Sequence, residues 1–295
     1  AMILAGLAVC VCYKANIANL GVDGQIFLGA SAASAVALNV QAGASHTLSL
    51  LEIFLAAVLA GMLFALIPAL LKVYLNVNEV VSTLLLNFIG EDFVNYLVNG
   101  PMKDPSATTN LSASAKFAEE AWLPHLQAFE PSSANVGAYI AIVLVIAVTF
   151  LFYRTTLGHD IKLVGANSEF ARYAGINPKL TTIKCMCMSG AIAGIIGAIE
   201  VTAVQHRLIT GFNPDLGFKG IVVSLLAGNN PIGVVFSGIF FGALKNGGTN
   251  MERMTGVPSA ISSIVEGAII LVICADFTIR FVRKKKVAAA GKEEK

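Results

Sequence analysis

Charge is scarce in this sequence: Asp, Glu, Lys and Arg make up 13% of its 295 residues, about half the share in a soluble globular domain. A chain so poor in charge cannot clothe a water-facing surface, which excludes the soluble class. Blocks of about ten residues alternating polar and apolar, the mark of a membrane β-barrel, are missing too. The five cysteines fall as Cys10 with Cys12, Cys185 with Cys187, and Cys274 alone. Those spacings match neither a C-x-x-C redox motif nor a zinc site, so the thiols are read as small apolar side chains in helix packing. The four histidines, His46, His125, His159 and His206, show no metal-ligand spacing. There is no G-x-x-x-x-G-K-[ST] loop to hold ATP, and no G-x-S-x-G or H-E-x-x-H motif to suggest an enzyme. The opening residues AMILAGLAVCVC have no basic start, so they are not expected to act as a cleavable leader.

What is present is apolar. Hydrophobic residues make up 56% of the chain, and its mean hydropathy is +0.75. The apolar runs cover Ala1 to Cys12, Ile26 to Val40, Leu48 to Leu71, Val80 to Val98, Gly137 to Tyr153, Ile183 to Val204, Ile221 to Ala243 and Ala260 to Val282. The seventh is interrupted from Gly228 to Pro231. Their succession predicts an all-α, polytopic transmembrane bundle over residues 1–282, followed by a basic tail over 283–295. Several runs fall short of the roughly 20 residues of a full span. Short or broken helices, shielded from lipid by other helices, are therefore expected.

Basic residues orient the bundle. With Arg280, Arg283, Lys284, Lys285 and Lys286 in the cytoplasm, the threading brings Lys14, Lys72, Arg154, Lys162, Arg172, Lys179 and Lys184 to the same side. Lys103, Lys116, Arg207, Lys219, Lys245 and Arg253 fall on or near the other. The chain opens without Met and inside an apolar run, so a preceding helix is expected. Residues 101–135, rich in proline, read as an external loop, and 154–184 as a cytoplasmic one. In the second loop, Asn167 or Ser168 is placed to cap a short helix from Glu169 to Ala174 that Gly175 ends.

Polar residues inside apolar runs mark the candidate site, because a buried ionisable group in a membrane needs a partner, water or a function. Glu79, Thr83, Asn87, Glu91 and Asn95 are spaced four apart, a ladder that drifts about 40° around a helix at each step. Thr83, Asn87, Glu91 and Asn95 are the predicted lining of a polar pathway, with a hydrogen-bonded structural seam as the alternative. Glu91 and Asp92 mark its outer mouth. Glu200 follows the small-residue face of Gly190, Gly194 and Gly197, within a turn of Gly197, and is a second candidate for the pathway or else a structural partner. Gly238 and Gly242 form another small-residue face. Between the first two runs, Asn19, Gly21, Gly24 and Gln25 suggest a helix break whose side chains satisfy irregular backbone, or a plain cytoplasmic turn.

The collinear order of KANIANLGVDGQIFLGA, NVNEVVSTLLLNFI, VNYLVNGPMKDPS, LVGANSEFARYAGI, SGAIAGIIGAIEV and GFNPDLGFKGIVVSLLAGNNPIGVVFSGIFFGAL, from Ala1 to about Ala275, resembles the permease subunits of bacterial ABC importers for nucleosides. These fall in the wider group of branched-chain amino acid and ribose permeases. The resemblance implies a pathway-forming subunit of the bacterial inner membrane with a cytoplasmic C-terminus. It further implies a heterodimer with a homologous permease, an external substrate-binding lipoprotein, and a cytoplasmic ABC ATPase that holds the ATP and magnesium. The chain itself would bind no cofactor, metal or nucleic acid. The segment carrying Glu169, Ala171, Arg172 and Gly175 would be the coupling helix seated on the ATPase. Purine nucleosides are the first expectation, with riboflavin or a sugar as close alternatives. A different class, an ion-coupled secondary transporter or channel, would use Glu91, Asp92 or Glu200.

Overall fold

The computed structural model of the protein describes residues 1–272 except 41–42, 44, 105–111, 125–134, 213–214, 256–260, 262–263 and 270. The basic tail, Cys274, His125 and the end of the last apolar run lie outside the described residues. At the centre stands helix α1 (Met2–Lys14), buried on every side from Leu4 to Cys12. A helix apolar all round has no face to give to water and becomes core. Cys10 and Cys12 are buried in it, and the Cys12 Sγ lies 3.6 Å from the Cys185 carbonyl.

Around α1 pack α8 (Pro178–Ile199), α9 (Leu216–Leu226) and α10 (Pro231–Thr255), with α5 (Gly137–Arg154) closing one side. Helices α2 (Val22–Ala37) and α3 (His46–Leu75) pack on α8, and α4 (Glu79–Asn99) lies on α2. Helices α3 and α5, and α8 with its continuation to Gln205, are long and apolar enough to cross a membrane. One face of α3, from Leu55 through Leu59 and Leu63 to Ile67, is exposed and apolar, as a lipid-facing surface must be, with Glu52 exposed near its start.

The predicted glycine face of α8 is where its backbone meets its neighbours. Gly190 abuts Gly61 of α3, Gly194 abuts Ala57 of α3 and Gly29 of α2, and a Cβ on Gly197 would lie 2.5 Å from the Ala30 nitrogen. The second predicted face divides: Gly238 packs on Ile3, whereas Gly242 faces open space.

The two ends of the bundle differ. At one end the loop after α5 contains α6 (Thr156–Ala166), an amphipathic helix absent from the sequence reading, followed by the anticipated short helix, α7 (Ser168–Tyr173). Lys72 and Glu79 form a 2.6 Å salt bridge here between α3 and α4, and Lys179 sits 5.8 Å above the Tyr74 ring. At the other end a 3₁₀ turn, Glu119–Ala121, brings Trp122 into a stack on His206 with centroids 4.2 Å apart. The Glu120 carboxylate accepts the Gly43 N–H at 2.8 Å, and that bond holds its pKa below the usual carboxylate range.

The glycine contacts make a direct prediction. Gly194→Val puts side-chain carbon into the Ala57 backbone and is expected to cost about 1–3 kcal/mol or more through overpacking. Gly247→Ala, with nothing within 4 Å of the added carbon, does not lower stability, since alanine is the better helix former. Melting of the detergent-solubilised protein distinguishes them, and equal melting temperatures would refute the packing account.

Candidate functional site

Inside the bundle the chain leaves helical geometry between α1 and α2. Asn16 turns it with a left-handed φ of 58°, a conformation asparagine tolerates better than most residues. The freed backbone groups have no water to turn to, and side chains take its place. Asn19 is fully buried, its amide donating to Ser189 Oγ of α8 at 2.9 Å while its Oδ1 accepts the Gly21 N–H at 3.0 Å. Gln25 exchanges amide contacts with Asn19 at 3.4 Å.

Helix α4 supplies the rest. Thr83 Oγ1 accepts the Leu20 N–H at 3.3 Å. Asn87 straddles the break: its Nδ2 donates to the Leu20 carbonyl and its Oδ1 accepts the Gly24 N–H, both at 2.8 Å. These bonds let α2 begin at Val22, four residues before the apolar run at Ile26. The irregular segment is thus 15–21, and Gly24 and Gln25 stand in the first turn of α2 instead of in the break. The glycines are needed for the approach: a Cβ on Gly24 would lie 2.9 Å from the Leu86 carbonyl, and one on Gly90 2.9 Å from the Gly24 Cα.

A second helix also starts within the bundle. Asp215, at φ 60°, precedes α9, and the N–H of Gly217 in its first turn donates to Asp23 Oδ1 at 2.6 Å. Asp23 thus sits in the first turn of α2 and against the first turn of α9, where the partial positive charge of both helix N-termini favours a carboxylate. Asp23 falls inside the stretch from Asn19 to Gln25 that is expected to break the helix, but the sequence alone assigns it no role. The available signal was its isolation, as the only Asp or Glu in residues 1–51.

Between α2, α4 and α9 lies a cavity of about 190 Å³. Phe27, Phe88 and Phe218 give it aromatic walls, and Asp23, Asn87, Glu91 and Asp215 its polar lining. The predicted ladder is therefore split. Thr83 is buried in the seam with α2, Asn87 serves both seam and cavity, Glu91 lines the cavity from an exposed position, and Asn95 stands half-buried beyond it. Asp92 is exposed and outside the cavity. Glu200 is not with the ladder. It opens a π-helical turn, Glu200–Gln205, at the end of α8 and borders a separate cavity of about 550 Å³ with Lys245 and Gly242.

On the side of α9 next to Phe218, Lys219 is 3.1 Å from Glu266, whose side chain is 8% exposed. A charge so enclosed needs such a partner.

At the end bearing α6, Asn167 Oδ1 accepts the N–H groups of Glu169 and Phe170 at 2.9 and 3.0 Å, capping α7. Gly175, at φ 83°, ends it, and the Ile176 N–H returns to the Ala171 carbonyl at 3.0 Å, a Schellman closure. Ala171 is buried, while Glu169 and Arg172 are exposed beside a cleft of about 620 Å³ that Gly175 also lines. Phe170 and Tyr173, not singled out from the sequence, are 58% and 91% exposed. Both rings project from a capped short helix.

Residues 1–274 match the protein family described as "Branched-chain amino acid transport system / permease component". The chain is 36% identical to a glucose ABC transporter permease protein, TsgB13 of Haloferax volcanii, over 98% of this chain and 76% of that one. It is 33% identical to the guanosine ABC transporter permease protein NupP of Bacillus subtilis, covering 96% and 80% respectively. With the nucleoside ABC transporter permease protein NupB of Lactococcus lactis subsp. cremoris the identity is 30%, over 99% and 81%. No solved structure matches the chain.

Two predictions follow the geometry. Asn87→Ala orphans the Leu20 carbonyl and the Gly24 N–H, at about 1–3 kcal/mol for each buried group, whereas Thr83→Ser keeps its hydroxyl and is near neutral. An unchanged melting temperature for Asn87→Ala would mean the break is held without it. Lys219→Glu and Glu266→Lys each lower the melting temperature, and the double exchange recovers most of the loss. If the effects simply add, the pair does not couple the two elements.

Proposed function

Since this chain belongs to the family of branched-chain amino acid transport permease components, a transport subunit and not an enzyme, we propose that it lines the path of a purine nucleoside through an ATP-driven importer. The observation that carries this reading is the cavity at the junction of α2, α4 and α9. Its phenylalanine walls suit a planar base and its carboxylates suit ribose hydroxyls. The guanosine and nucleoside permeases among its relatives support the same substrate. A sugar is the second reading, favoured by the glucose permease relative.

The α6–α7 end faces the cytoplasm in this proposal, since Arg154, Lys162, Arg172, Lys179 and Lys184 gather there. Helix α7 is then the element that docks on the ATPase: Ala171 anchors it to the bundle, Glu169, Arg172 and the exposed rings of Phe170 and Tyr173 meet the partner, and Gly175 sets its exit. ATP and magnesium are held by that partner. A substrate-binding lipoprotein delivers solute at the Trp122 end, and a homologous permease completes the pathway opposite the open face of α4. Solute passes along Asn87, Glu91 and Asn95, with Thr83 and the Asn19, Gly21, Gly24 and Gln25 region holding the wall in place. Glu200 flanks the outer end.

Reconstituted with its ATPase and binding protein, the chain is expected to take up guanosine with ATP and to take up nothing alone. Glu169→Ala or Gly175→Val should lower uptake at least about tenfold, the effect of a 1.4 kcal/mol change, while the complex still co-purifies. Unchanged uptake would remove the coupling role. Uptake by the chain alone under an ion gradient would replace the importer reading with a secondary transporter, and glucose uptake without guanosine uptake would select the sugar reading.

A further inference from the structure

The cavity between α2, α4 and α9 has a chemical bias that transport by itself does not require. The Asn87 amide is engaged at both ends, with Leu20 and Gly24, so of its two N–H donors only one is left. Asp23, only 7% exposed, takes the Gly217 N–H. Glu91 and Asp215 present exposed carboxylates with no salt-bridge partner among the described residues. An ionised carboxylate only accepts hydrogen bonds. Among the described residues no basic side chain lines the cavity, and the neighbouring Lys219 is tied to Glu266 at 3.1 Å. The apolar remainder is the three phenylalanine rings and Leu84. A volume of about 190 Å³ is about six waters' share of the liquid, room for one ring system, with anything attached to it extending out past the exposed Phe88.

We propose that this cavity is the station at which the chain engages its solute, and that it reads hydrogen-bond donors on an uncharged ring while excluding anions. The solute class is a neutral ring compound with adjacent donors: a vicinal diol, or the N–H and amino edge of a base. A phosphorylated form of the same compound is rejected, because its charge meets three carboxylates behind low-dielectric walls that focus the field. The assignment deepens the transport reading and rests on it for its physiological meaning, but its chemistry is measurable without transport.

The test uses the assembled, reconstituted transporter carrying Phe88→Cys, or Leu84→Cys should the first fold poorly. Cys10, Cys12 and Cys185 are buried, and Cys187, which is partly exposed, and Cys274 are replaced by serine in the background protein. Reaction rates with a cationic and an anionic methanethiosulfonate reagent are compared, and their ratio is normalised to Asn99→Cys at the exposed end of α4. The expected normalised preference for the cation is at least tenfold, falling to within about twofold of the reference after Glu91→Gln with Asp215→Asn. Millimolar guanosine or glucose is expected to slow labelling at least threefold, while GMP and glucose 6-phosphate do not. A ratio equal to the reference, or protection by the phosphorylated forms equal to that by the neutral ones, overturns the proposal. Failure of the transport reading is seen separately, as absence of ATP-driven uptake with the labelling pattern intact.

Discussion

An unpaired backbone amide inside a bilayer costs several kcal/mol, and this chain opens its backbone in the middle of a helical bundle. Most of the site can be traced to how residues 15–21 are satisfied. Asn87 closes both sides of the opening, Thr83 and Asn19 take the amides between them, and Ser189 ties the group to α8. Because α4 must approach closely enough for these bonds, Gly21, Gly24 and Gly90 carry no side chains at the contact. Because α2 begins inside the bundle, its first turn faces that of α9 across the Asp23 carboxylate. The cavity is the space these two starting helices leave beside α4. Seam and cavity are thus one construction, and Asn87 belongs to both.

A single helix connects this construction to both ends of the protein. Helix α8 begins at the Asn177 cap beside α7, passes Cys185 beside Cys12 and Ser189 beside Asn19, abuts α3 and α2 through its glycines, and continues to Glu200 and Gln205. Its 28 residues span about 42 Å at 1.5 Å per residue. A rigid element of that length, gripped by backbone contacts and not by long side chains, carries displacement with little loss. In the proposed coupling role of α7, α8 is the element that links it to the helix break and to the Glu200 cavity.

Legibility from the sequence followed the range of the interaction. The cap of α7 by Asn167 and its end at Gly175 were readable because capping acts over three or four residues of contiguous chain. The glycine face of α8 was readable as a spacing, though nothing in it indicated that Gly242 would face open space while Gly238 packed. Helix α6 escaped because its polar residues, among them His159, Asp160 and Lys162, resemble those of a loop. The start of α2 was misplaced because Gly24 and Asp23 look unsuited to a membrane helix until their partners, 63 and 194 residues away, are in view.

The amino-acid sequence by itself determined that this is an all-α membrane protein with a capped helical turn at one end and a ladder of polar residues in one helix. Those properties follow from composition, periodicity and local capping. The tertiary structure alone decided what each rung of the ladder does. Four-residue spacing puts side chains on one face of a helix but does not say what that face meets. Only the fold gave Thr83 and Asn87 a broken helix to hold, Glu91 a cavity to line with Asp23 and Asp215, and Glu200 a place apart from all three.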